Sequence, residues 1–93
     1  MGLKKVNCSK NALALKAAFQ FAKVIRQDTY LRCLELQQNQ FSKEAVGELL
    51  RALEQNKSLL CLDLRANPGY EQSSEFKHRV VFQLLRNLKQ ALL

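Results

Sequence analysis

The sequence predicts an α/β solenoid with a parallel sheet on its inner side and helices on its outer side. Three observations lead there. The pattern Leu-x-x-Leu-x-Leu-x-x-Asn stands clearly at Leu31, Leu34, Leu36 and Asn39, and again at Leu59, Leu62, Leu64 and Asn67. The two copies lie 28 residues apart, and a worn third copy sits the same distance upstream at Leu3, Val6, Cys8 and Asn11. Between the copies, apolar residues recur at helical spacing. A fixed interval of this size marks stacked strand–turn–helix units, each of which needs a neighbour to bury its apolar side.

Units of this kind are leucine-rich repeats, with expected bounds of about 3–30, 31–58 and 59–93, the last serving as a C-terminal cap. In the second unit, Cys33-Leu34-Glu35-Leu36-Gln37 alternates with period two, so it reads as a strand with Leu34 and Leu36 turned to the core. Asn39 follows in the turn. Its amide donates and accepts together, so it can satisfy backbone groups leaving the strand, and Asn11, Asn39 and Asn67 are expected to stack as a ladder. Phe41 plugs the turn and Ser42 is the N-cap. The helix is expected from Lys43 to Gln55, buried through Val46, Leu49, Leu50 and Leu53 and stopped by Asn56. The first helix repeats this with Ala18, Phe21, Ala22 and Ile25, leaving Lys16, Gln20 and Lys23 in solvent.

The third unit departs from the pattern. Pro68-Gly69-Tyr70 and the polar run Glu71-Gln72-Ser73-Ser74 read as an extended turn. A closing helix is expected over Glu75–Ala91, with Val81, Leu84, Leu85, Leu88 and Leu92 on its buried side. That aligns Leu84 with Leu49 and makes the third loop seven residues longer than the repeat requires. Terminal repeats are commonly irregular in this way.

At 93 residues the chain is one domain at most, and 47% hydrophobic residues suffice for a core. No stretch has the length of a membrane span, and Met1-Gly2-Leu3-Lys4-Lys5-Val6 lacks the apolar run of a signal peptide. A cytoplasmic location follows as an expectation. Asn7-Cys8-Ser9 and Asn56-Lys57-Ser58 then read as chance matches to the glycosylation sequon. The formal charge of +7 fits an acidic partner, a nucleic acid or a membrane surface, and equally the solvated outside of one slice of a larger protein, which is the preferred reading. The first copy begins directly on a strand with no polar cap before it. The chain is therefore expected to be a fragment or short isoform of a longer solenoid.

Solenoids build recognition surfaces from outward strand residues. Three rows are expected across the strands: Lys5, Cys33 and Cys61; Asn7, Glu35 and Asp63; Ser9, Gln37 and Arg65. Neighbouring strands lie about 4.8 Å apart, so each row is a stripe of close side chains. The partner-binding candidates are Cys33, Glu35, Gln37, Cys61, Asp63, Arg65 and, in the third loop, Tyr70. Glu35 beside Asp63 should raise one another's pKa unless Arg65 relieves them. Cys33 beside Cys61 supplies too few ligands for zinc, so no metal is expected. Lys77-His78-Arg79 with Arg86 and Lys89 makes the closing helix basic. Without an aromatic platform this reads as a solvated face, and nucleic-acid binding is not expected. No phosphate-binding glycine loop, nucleophile elbow or His-Glu-x-x-His motif is present, so neither an enzyme nor a cofactor is expected.

The 28-residue unit with a full helix resembles the ribonuclease-inhibitor class of leucine-rich repeats. Within that class, Leu31–Gln38, Leu49–Glu54 and Leu62–Pro68 are similar to the end of the repeat domain in the family of the 78-kDa centrosomal protein. That resemblance implies a non-enzymatic interaction module at the centrosome or cilium basal body, a role in cilium assembly, and a centriolar or ubiquitin-ligase component as protein partner. The second function considered is a regulatory repeat segment of an innate-immune or inhibitor-type protein.

Overall fold

Strand alternation and helix caps together set the element order in the computed structural model, which describes residues 5–7 and 15–92. The elements are β1 (Lys5–Asn7), α1 (Leu15–Gln27), β2 (Cys33–Glu35), α2 (Lys43–Gln55), β3 (Cys61–Asp63), α3 (Pro68–Glu71) and α4 (Ser74–Ala91). The strands form a parallel sheet in the order β1-β2-β3. Cys33 is in register with Lys5 on one side and Cys61 on the other. Leu3, Cys8, Ser9 and Asn11 of the first copy, and the side chains of Lys5 and Val6, lie outside the described residues.

Each described strand turns its leucines inward. Leu34, Leu36, Leu62 and Leu64 are buried against Val46, Leu49, Leu50 and Leu53 of α2 and Ala18, Ala22 and Ile25 of α1. Phe41 is buried in the turn as expected. Asn67 holds the turns together. Its Nδ2 donates to the Leu36 and Leu64 carbonyls, both at 2.9 Å, and its Oδ1 accepts from the Asn39 and Phe41 amides at 2.9 and 3.0 Å. Gln38, Gln40 and Ala66 reach the left-handed region here, with φ near 60°.

A second set of polar side chains joins the return loops on the other side. Asn56 Nδ2 donates to the carbonyls of Ile25 (2.7 Å) and Asp28 (3.2 Å), while its Oδ1 accepts from Ser58 and Leu59 amides. Asp28 Oδ1 accepts from the Tyr30 and Leu31 amides. Ser42 caps α2 through Ala45, and the helix bounds match those expected. Arg86 was expected on a solvated basic face. It instead donates to the carbonyls of Leu53, Glu54 and Asn56 at the C-terminus of α2, where a cation is favoured.

Pro68 and Gly69 do not make an open turn. They begin the one-turn helix α3, with Pro68 in the first turn where its missing N–H costs nothing. Gly69 donates its amide to the Phe41 carbonyl at 2.9 Å. A Cβ at Gly69 would lie 2.2 Å from the Ser42 carbonyl carbon, so only glycine admits this approach.

The buried side of α4 differs from the expected one. Phe76, Val80 and Asn87 are its buried residues. They fall 31 residues after Ala45, Leu49 and Asn56, so the third loop is only three residues longer than the repeat, and α3 takes up the excess. Leu84 is half-buried, while Val81, Phe82, Leu85, Leu88 and Leu92 are exposed, from 42% at Leu88 to 78% at Leu92. At about 100° of turn per residue, this leucine row lies roughly 100° around the axis from the buried one.

These facts correct the expected solenoid of three 28-residue-type repeats. Among the described residues, only 31–58 complete the strand–turn–helix–return unit. The residues joining β1 to α1 lie outside the description, and the last unit is a one-turn helix followed by an 18-residue helix with a different buried face. The result is a small α/β domain: among the described residues, four helices packed on a short parallel sheet, whose described side chains belong mainly to the β2–β3 pair.

Candidate protein-binding surface

The outward strand residues form the rows expected for β2 and β3. Register places Cys33 beside Cys61 and Glu35 beside Asp63. Gln37 and Arg65 line a shallow hollow of about 320 Å³ with Gln38 and Ala66. Cys33, Glu35, Gln37, Cys61 and Asp63 are half-buried, and Arg65 is exposed.

Electrostatics on this face follow the second of the two readings, in which Arg65 relieves the carboxylates. Arg65 bends back along its own strand and grips Asp63 with two bonds, Nε to Oδ1 at 2.9 Å and Nη2 to Oδ2 at 2.7 Å. This guanidinium holds the Asp63 carboxyl below its usual range, although partial burial opposes it. Arg65 therefore sets the direction at Asp63. Burial pushes the Cys61 thiol up to about 12, helped by the hydrogen bond with Cys33. A thiol so held is a poor thiolate ligand and a poor nucleophile. No cluster of three or more metal-ligating side chains occurs among the described residues.

Tyr70 does not project from a loop. It lies on α3, half-buried against the core, with the Lys77 ammonium 5.9 Å from its ring centroid. Burial raises its phenol above the ordinary value. Cys61, Asp63, Arg65 and Tyr70 line one groove of about 330 Å³ beside β3, walled on the far side by Val80, Val81 and Leu84 of α4. Cys33, Glu35 and Gln37 stand one strand away.

The basic cluster is largely occupied within the domain. Lys77 pairs with Glu71 at 3.1 Å, and Arg79 with Glu54 at 2.9 Å and Glu75 at 3.7 Å. What sequence reasoning missed is the exposed apolar row of α4. The signal was available: aligning α4 on α2 by Ala45 with Phe76 and Asn56 with Asn87 would have turned the leucines outward.

No family model matches this sequence, and no curated protein is significantly similar to it. Solved structures are similar in fold. One, leiomodin-1 actin-binding site 2, superposes with a TM-score of 0.72 at 16% identity, over 96% of this chain and 66% of that one. Another, the tropomodulin C-terminal domain of Caenorhabditis elegans, gives 0.50 at 17% identity, over 96% of this chain and 86% of that one. The present chain thus spans about 66% of the leiomodin structure.

These likenesses overturn the ribonuclease-inhibitor resemblance: the chain shares its fold with tropomodulin- and leiomodin-type domains. The centrosomal reading, the basal-body location and the innate-immune alternative rested on that resemblance and fall with it. No helix among the described residues is long and apolar enough to cross a membrane.

Proposed function

We propose that this domain is a non-enzymatic protein-binding module and that actin is its partner. One observation carries the reading: nearly the whole chain superposes, with a TM-score of 0.72, on an actin-binding site of leiomodin-1. The local chemistry supports it. The groove beside β3 combines an apolar wall with a fixed ion pair and an aromatic ring, the mixture of apolar core and polar rim found at protein interfaces. Cys33, Glu35, Gln37, Cys61, Asp63, Arg65 and Tyr70 are the contact residues proposed, and an actin partner puts the domain to work in the cytoplasm.

Co-sedimentation with actin filaments and anisotropy with labelled monomeric actin test this reading. Saturable binding to either form is expected. Arg65→Glu and Tyr70→Ala should each weaken it about tenfold, as central interface residues do. Absence of binding to both forms at concentrations up to about 50 μM would remove actin as the partner.

A further inference from the structure

We propose that Cys33 and Cys61 are a redox pair that closes to a reversible cross-strand disulfide on the outward face of the sheet. The two cysteines are in register on the neighbouring parallel strands β2 and β3. Both are free thiols and both are half-buried, so a small reagent meets them from the outward side. The Cys61 thiol hydrogen-bonds to Cys33, which sets the two sulfurs against one another. Neighbouring strands lie about 4.8 Å apart, inside the Cα separation that a disulfide spans. The Cβ atoms must still close to about 3.8 Å, and that strains the bond. Strand β3 is the edge of the sheet among the described residues, so no further strand holds it back when it is drawn toward β2. Strained disulfides are the readily reduced ones, which makes this bond reversible.

The oxidant is a low-molecular-weight disulfide such as oxidised glutathione. Burial and the contact with Cys33 keep the Cys61 proton in place at neutral pH, so Cys33 opens the exchange. The Cys33 thiolate attacks one glutathione sulfur and forms a mixed disulfide. One glutathione thiolate leaves and takes up the proton that Cys33 gave to water. Cys61 then attacks the Cys33 sulfur, and the second glutathione leaves with the Cys61 proton. Two protein thiols are oxidised, and one glutathione disulfide is reduced to two thiols. In the mixed disulfide Cys33 carries no charge, so its share in raising Cys61 is gone, whereas the larger share from burial remains and slows this second step. The chemistry does not depend on actin being the partner. It does fall among the contact residues proposed on the strand face, where closure draws β3 toward β2.

The test incubates the 93-residue chain without air in mixtures of oxidised and reduced glutathione until the products stop changing, a matter of hours. The samples are then acid-quenched, alkylated and digested with trypsin. Cleavage places Cys33 in the peptide 33–43, Cys61 in 58–65 and Cys8 in 6–10, so each pairing has its own mass. In oxidised glutathione alone most chains should yield 33–43 linked to 58–65. Under about a hundredfold excess of reduced glutathione few should. Reduced and pre-oxidised chains should reach the same linked fraction. Cys61→Ser should stop at the glutathione mixed disulfide on Cys33, and Cys33→Ser should leave Cys61 largely unmodified. Absence of the 33–61 link in oxidised glutathione would overturn the proposal, as would a link made only between two chains or only to Cys8. A bond that excess reduced glutathione fails to reopen would overturn its reversibility.

Discussion

Helices α2 and α4 present the same kind of sequence and meet opposite fates. Both are amphipathic, both start at a serine cap, and both carry leucines at helical spacing. In α2, Val46, Leu49, Leu50 and Leu53 are wholly buried; in α4, Val81, Leu85 and Leu88 are in water. The difference lies in the neighbours. Helix α2 is packed between α1 and α4 and rests on the strand leucines, whereas α4 packs on α2, α3 and β3 and has no described element on its other side. An apolar stripe is thus a capacity for contact, and position in the stack decides whether the fold or a partner uses it.

The largest effect should come from the inner region. Asn67→Ala removes the donations to the Leu36, Leu64 and Arg65 carbonyls together with the Oδ1 that accepts from the buried amides of Asn39 and Phe41. A loss of about 3–5 kcal/mol is expected from urea unfolding, a large share of the stability of a domain of this size. If Asn67→Ala unfolds with a loss below about 1 kcal/mol, the turns are not held from inside and the contrast between the two regions weakens.

A matched pair tests the contrast directly. Leu50→Ala in α2 empties a fully buried site and should cost about 2–5 kcal/mol. Leu85→Ala in α4 should cost less than about 0.5 kcal/mol, because its side chain is mostly solvated. Equal costs in urea unfolding would mean that the outer face of α4 is buried in solution. Next in size is Gly69→Ala, which drives a Cβ into the Ser42 backbone and should cost about 2 kcal/mol. It should also detach α3, visible as faster amide exchange at Gly69 and Tyr70, whose amides bond to Phe41 and Asn67 carbonyls.

The regions differ equally in how much the sequence revealed. Residues 31–58 were legible because every local signal agrees there: strand alternation, the turn asparagine, Phe41, the Ser42 cap and the stop at Asn56. The bounds and buried face of α2 followed directly. The third unit misled because its leucines outvoted its register. Aligning apolar residues gave an insertion of seven, whereas the fold matches Phe76, Val80 and Asn87 to Ala45, Leu49 and Asn56 with an insertion of three. A buried asparagine and an aromatic in place of an alanine do not look like a core in composition. The strand-face rows were legible from period two alone, and the relief of Asp63 by Arg65 was one of two readings between which period two could not choose. Spacing places two carboxylates together without saying where a flexible guanidinium will lie.

A smaller effect of opposite sign is expected in the turn after β3. Ala66 holds φ near 61°, a conformation that costs a residue with a Cβ about 1 kcal/mol and glycine almost nothing. Ala66→Gly should therefore stabilise by up to about 0.5 kcal/mol after the added entropy of the unfolded chain is subtracted. A destabilisation on urea unfolding would show that the alanine methyl makes contacts outweighing the backbone strain.

The smallest effect is set by acid. Arg65 depresses the folded-state pKa of Asp63 below its unfolded value, so the pair stabilises the fold fully above the unfolded pKa, near 4. That stabilisation is lost as pH falls through the folded value, when the carboxylate takes up its proton. Asp63→Asn should thus be slightly less stable than the parent at pH 7, and the gap should close as pH falls below about 4. The pair lies at the surface, where screening keeps such contributions small, so the gap should also narrow in high salt. A gap that widened in acid would require Glu35, in register beside Asp63, to dominate its titration in place of Arg65. That outcome would return the strand face to two carboxylates awaiting a cation from a partner, and would move the proposed actin contact from the groove beside β3 to the middle of the sheet.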